Sequence, residues 1–119
     1  MARAIYGNKY FNVPKTVNGK RFQSTKEANR YQELLLLQRA GAISKLQTQV
    51  NYLLIPAAYD DDGKKIEGTC SYRADFVYWQ DGQLVVEDVK GYKKGAAYDL
   101  FKIKRKLMLK EYGIRIKEV

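Results

Sequence analysis

The 119-residue sequence contains no histidine, one cysteine and two prolines, and each shortage closes off a branch of chemistry. Without imidazole there can be no Ser-His-Asp triad, no Cys-His pair and no histidine-ligated zinc or non-haem iron centre. One thiol, Cys70, excludes a thiolate zinc site and a disulfide within the chain. Its expected place is as a small buried hydrophobe in a reducing compartment, the cytoplasm. Wholly apolar runs reach no further than that of Leu34–Leu37, far short of the roughly 20 residues that cross a bilayer. No apolar stretch follows Arg3, so neither a signal peptide nor a membrane partner is expected. Acidic residues are the minority: 13 Asp and Glu against 22 Lys and Arg give a net charge of +9 and a pI near 9.6. That surplus suits a polyanion, because each phosphate neutralised releases condensed counterions. The chemistry left to the chain is that of carboxylates, lysines and arginines, and carboxylates prefer hard cations such as Mg²⁺ or Mn²⁺.

The chain reads as one α/β (α+β) domain. Residues 1–14 are an expected flexible arm, and residues 15–119 the domain itself. Val17-Asn18-Gly19-Lys20 carries the Asn-Gly signal of a two-residue hairpin. Ser24-Thr25-Lys26-Glu27 reads as a capping box opening a helix that runs to about Ala40, with Gly41 placed to end it. The Leu34–Leu37 block predicts a buried middle for that helix. Strands are expected from Leu46 to Ile55, Thr69 to Trp79 and Leu84 to Lys90, the last two joined at Asp81-Gly82. Asp60-Asp61-Asp62-Gly63-Lys64 lacks the spacing of an EF-hand loop and reads as a solvated turn. A second helix is expected from Ala97 to Tyr112, with a wide apolar face, followed by a strand from Ile114 to Val119. The order is hairpin, helix, three strands, helix, strand, a central mixed sheet with two helices.

Period-two alternation along Leu84–Lys90 puts Asp88 and Lys90 on one face with Val86, and Glu87 on the other. Pairing Val77 with Val86 across the Asp81-Gly82 turn brings Asp75 close to Asp88. Two carboxylates in an apolar sheet repel unless a cation lies between them, and a divalent metal is the economical resolution. The plain alternative is a same-face ion pair of Asp88 and Lys90 on a solvated edge. Glu27 has two readings: the N3 member of the capping box, or the head of the buried face Glu27, Tyr31, Leu34, aimed at the sheet. Glu33 points elsewhere on the helix.

Asp75 and, after twelve intervening residues, Asp88-Val89-Lys90-Gly91 resemble the PD-(D/E)xK nuclease motif, with Ala74 where the motif has proline. Gly19–Phe22, Ser24–Ala28, Ala40-Gly41-Ala42-Ile43, Gln49, Tyr72–Phe76 and Glu87–Gly91 are similar to a family of small phage-encoded nucleases linked to Holliday-junction resolution. The resemblance implies a restriction-endonuclease-like core and a Mg²⁺-dependent endodeoxyribonuclease, with Mn²⁺ as a substitute. It implies that Asp75, Asp88 and the Val89 carbonyl hold the metal with help from Glu27, and that Lys90 orients or deprotonates the attacking water. Branched DNA would be the partner and a homodimer the working unit, since two symmetric nicks need two sites. Gln49 would position substrate or water, or serve only as a sheet-edge amide. Tyr92, Lys93 and Lys94, with the stripe Lys102, Lys106 and Lys110 and with Lys20 and Arg21 as further candidates, would grip phosphates; the stripe also reads as a solvated face. A nuclease of the same fold acting on single strands or flaps, and a non-catalytic DNA-binding module, are the competing readings.

Overall fold

A computed structural model describes residues 14–119; the expected N-terminal arm, Pro14 apart, lies outside the described residues. Lys15–Val17 (β1) and Lys20–Phe22 (β2) form the expected hairpin, with Asn18 at φ 52° and Gly19 at φ 75°. Both central residues at positive φ make the turn whose twist matches its strands. Phe22 then drops its fully buried ring against Tyr31, centroids 4.9 Å apart, and Tyr31 stacks on Phe76 at 6.1 Å. These ring contacts pin the hairpin to the first helix.

That helix, Thr25–Arg39 (α1), begins at Ser24, whose Oγ accepts from the Glu27 N–H at 3.1 Å. It ends as a Schellman motif: the Ala42 N–H donates to the Leu37 carbonyl at 2.9 Å and the Gly41 N–H to that of Gln38 at 3.0 Å. Gly41 takes φ 84°, open to glycine at no steric cost.

A four-stranded mixed sheet forms the centre, in the order β3 (Ser44–Ile55), β6 (Cys70–Gln80), β7 (Gln83–Asp88), β8 (Lys117–Glu118). The first three pair antiparallel and β8 runs parallel to β7. The β6–β7 turn is Asp81-Gly82, at φ 53° and 76°, and it sets Val77 opposite Val86, the register expected from the sequence. The second helix, Ala96–Tyr112 (α2), stops at Gly113 with φ 67°. The two helices cover opposite faces. On one side Ala28, Tyr31 and Leu34 of α1 pack with Phe76 and Tyr78; on the other Phe101 and Met108 of α2 pack with Tyr72, Val77 and Val86. Among the described residues no helix is long and apolar enough to cross a membrane.

Four expectations are corrected. The Leu34–Leu37 block is not buried throughout: Leu34 is fully buried, Leu35 partly, and Leu36 is 62% exposed. A helix resting on one sheet buries a single stripe, so four consecutive leucines must point some of their number outward. The wide apolar face of α2 likewise buries only Phe101 and Met108, leaving Leu100 and Ile103 exposed. The last strand is short, because after Gly113 the chain must first cross back to the sheet, and only Lys117–Glu118 joins the ladder. The turn around Asp60 is flanked by a separate small hairpin, Ala58–Tyr59 (β4) and Lys65–Glu67 (β5), which was not expected. Asp60 Oδ1 accepts the N–H groups of Asp62 and Lys64, each at 2.9 Å, so that acidic cluster is a turn, as its composition suggested.

Candidate active site

The site forms where β6 and β7 part. Their ladder ends at Phe76 opposite Glu87, and one step beyond, the Asp75 carboxylate replaces a backbone partner, its Oδ2 accepting the Val89 N–H at 2.7 Å. On β7 the alternation is regular: Val86 belongs to the α2 side, and Val85, Glu87 and Val89 to the α1 side. On β6 it slips. Tyr72 and Ala74 pack on the α2 side, yet Phe76 and Tyr78 pack on the α1 side. Val50–Ala74 and Thr48–Phe76 stay in register across this point, so no residue is inserted. The backbone adjusts at Asp75 and at Gln49 opposite, which takes φ 56°. A residue at such a slip can address both faces of the sheet, and Asp75 lines one cleft with Glu27 from α1 and Asp88 from β7.

Glu27 is buried, and its Oε1 accepts the Gln23 N–H at 3.1 Å. It therefore caps the chain one residue further back than a standard capping box while also lining a cleft of about 660 Å³ with Asp75, Asp88 and Val89. The two readings of Glu27 coexist on one carboxylate. Burial first, then the nearby Glu27 carboxylate, pushes the Asp75 carboxyl well above its ordinary range, against the pull of the Val89 N–H. Asp88 is raised from 3.8 to about 6: burial dominates, Asp75 adds to it, and the Lys90 ammonium opposes it.

Asp88 and Lys90 share a face, and Lys90 Nζ forms an ion pair with Asp88 Oδ2. The ammonium sits on the α2 side, 3.4 Å from the Phe101 ring centroid, and Lys90 is not among the residues lining the cleft. The Lys90 ammonium is therefore the cation already seated on Asp88 Oδ2. That oxygen and the Tyr72 hydroxyl are the two buried side-chain polar atoms lacking a hydrogen bond among the described residues. Tyr72 feels the Asp88 charge, which adds to burial in driving its hydroxyl pKa upward. With the Lys90 ammonium against Asp88 Oδ2, the Tyr72 hydroxyl is the buried oxygen left open to a water.

Glu87 lies on the opposite face, 0% exposed. Arg30 grips it with two bonds, Nε to Oε1 at 2.9 Å and Nη2 to Oε2 at 2.6 Å, and the Tyr78 hydroxyl donates to it as well. A buried carboxylate so fully paired is structural. Sequence reasoning missed Arg30, Tyr72 and Lys26. Lys26 Nζ, at the cleft, donates to the Lys90 carbonyl. Glu33 is exposed, 3.9 Å from Arg30 and on the far side of the helix from the cleft.

The expected substrate contacts lie around the site rather than in it. Both ends of the Gln49 amide are engaged: Oε1 accepts from Arg73, and Nε2 donates to the Arg21 carbonyl at 3.5 Å. Tyr92, Lys93 and Lys94 are exposed beyond β7, with Lys93 Nζ 3.7 Å from Glu118. On α2, Lys102 lies 3.4 Å from Asp99, while Lys106 and Lys110 are exposed.

The residues suit a hard cation in type, being oxygen donors. Among the described residues, however, no group of three or more Asp, Glu, Cys or His side chains is arranged to hold a metal ion as it stands. The carboxylates are occupied instead: Glu27 by Gln23, Asp75 by Val89 and Asp88 by Lys90. Each has a second oxygen or further lone pairs to offer.

Residues 7–117 match the family described as a protein of unknown function (DUF1064), and the chain belongs to that family. No curated protein and no solved structure matches it.

Proposed function

We propose that this member of the DUF1064 family is a metal-dependent endodeoxyribonuclease with a restriction-endonuclease-like core, acting on branched DNA such as Holliday junctions as a homodimer. The observation that carries the reading is the convergence of Glu27, Asp75 and Asp88 on one cleft, from a helix cap, a strand slip and a strand end. The spatial order supports it too: a helix, three antiparallel strands, a second helix and a strand returning parallel to the third.

Asp75, Asp88 and the Val89 carbonyl would hold a Mg²⁺ ion, with Glu27 beside them. Bound there, the ion would supply charge neutralisation at a phosphodiester and a more acidic water. The chain's own parts have distinct tasks. The Val89 N–H fixes the Asp75 carboxylate, and with it the spacing of the two strand ends. Lys90 balances the charge of Asp88 and keeps its ammonium within reach of that carboxylate. Beyond β7, Tyr92, Lys93 and Lys94 would contact phosphates without reading bases, which suits a substrate recognised by shape.

The test is to incubate the protein with a four-way junction, a matched duplex and single strands, with and without Mg²⁺, beside Asp88→Asn. Metal-dependent cutting of the junction by wild type, lost in Asp88→Asn with DNA binding kept, is the expected result. Cutting of single strands or flaps alone would replace the substrate assignment. Full activity in Asp88→Asn would sink the site, and binding without any cleavage would leave a DNA-binding module.

A further inference from the structure

Lys26 occupies an electrostatically poor position. It is the second residue of α1, where the helix macrodipole is positive and a cation is disfavoured. Its ammonium nonetheless reaches the Lys90 carbonyl, 64 residues away in sequence. Lys26 is also the one cation among the described residues lining a cleft that gathers three carboxylates. Lys90 contrasts at each point. Its side chain is 16% exposed, it is paired to Asp88, and it faces the Phe101 ring rather than the cleft. An ammonium has three N–H donors. The bond to the Lys90 carbonyl uses one and orients the group, leaving the others for an anionic oxygen at the mouth.

We infer that Lys26, rather than Lys90, presents the ammonium that takes a DNA phosphate at this cleft; the inference rests on the nuclease reading above. The bond to Lys90 ties this cation to the end of β7, so the phosphate it holds lies beside Asp88 and Val89. Asp88 and Val89 line the same cleft as Lys26.

The experiment measures binding of a labelled four-way junction by anisotropy across a salt series, with calcium in place of magnesium, for wild type, Lys26→Gln, Lys26→Arg and Lys90→Gln. One lost phosphate contact lowers the steepness of log K against log salt by about 0.9. Lys26→Gln is expected to show that drop, Lys26→Arg to restore the slope, and Lys90→Gln to keep it. In magnesium, single-turnover cleavage by Lys26→Gln should fall on the order of a hundredfold. Wild-type slope and rate in Lys26→Gln would overturn the inference and leave the nuclease reading standing. Binding without cleavage by wild type would overturn the nuclease reading, and the slopes would still decide the role of Lys26. Absence of DNA binding by wild type would overturn both.

Discussion

Replacing Asp88 by Asn should stabilise the protein at neutral pH, and the gain should disappear in acid. In the unfolded chain an aspartate titrates at 3.8, whereas in the fold Asp88 titrates at about 6, chiefly because it is buried and partly because Asp75 lies beside it. Below 3.8 both states carry the proton and the site costs nothing. Between 3.8 and about 6 the unfolded chain releases its proton while the folded protein retains it, so rising pH favours unfolding. Above about 6 the penalty is complete. At roughly 1.4 kcal/mol per decade, the interval amounts to about 3 kcal/mol. Asparagine carries no charge to desolvate, so it avoids this penalty. The ion pair with Lys90 is already inside that interval, since it opposes the rise, whereas the fit of the amide adds a difference that does not vary with pH. The change in the variant's advantage with pH is therefore the informative quantity.

Urea unfolding of wild type and Asp88→Asn, from about pH 4 to about pH 7, measures that change directly. The variant's advantage should grow by up to about 3 kcal/mol, or about 10 °C in Tm for a chain of this size. Added Mg²⁺ should raise the stability of wild type, most strongly above about pH 6, because the ion needs the deprotonated carboxylates. It should do much less for Asp88→Asn. A difference between the two proteins that is the same at both ends of the pH range would refute the reasoning, since burial of a charge would then not be what strains the site.

Two further outcomes follow from particular contacts. Arg30→Met leaves Glu87 buried with only the Tyr78 hydroxyl as partner, which should cost about 3–5 kcal/mol in urea unfolding; Arg30→Met with Glu87→Gln should recover part of it, and a loss below about 1 kcal/mol would show the pair to be unimportant. Lys106→Glu with Lys110→Glu, chosen because Lys102 is already beside Asp99, should reduce the salt dependence of DNA binding by about 1.8 in slope if the α2 stripe touches two phosphates, and an unchanged slope would assign the stripe to solvent.

How much of this was legible in the sequence depended on whether the controlling contact was local. Asn18-Gly19 and Asp81-Gly82 announce their turns because positive φ is a demand on the residues themselves. From the second turn the register Val77–Val86 follows, and with it the approach of Asp75 to Asp88. Arg30–Glu87 and Lys26 with the Lys90 carbonyl were not legible, since they join residues 57 and 64 positions apart through the packing of α1 on the sheet. The leucine block failed for the opposite reason. Leu34 to Leu37 sample every direction round the helix, so the pattern states that something is buried without saying which face.

Period-two alternation both succeeded and failed within one hairpin, and the failure is what makes the site. On β7 it separates Asp88 from Glu87 correctly, sending one to Lys90 and the other to Arg30. On β6, counting back from Val77 and counting forward from Ala74 give Asp75 opposite faces, because the two residues pack on the same side three positions apart. A regular strand would have forced a choice between Glu27, which arrives from the α1 side, and Asp88, which belongs to the α2 side. The slip at Asp75, matched by the positive φ of Gln49, removes that choice and lets one carboxylate share a cleft with both. Lost regularity where the twelve-residue edge strand β3 pairs with β6 is therefore the structural means by which three acids reach one cleft.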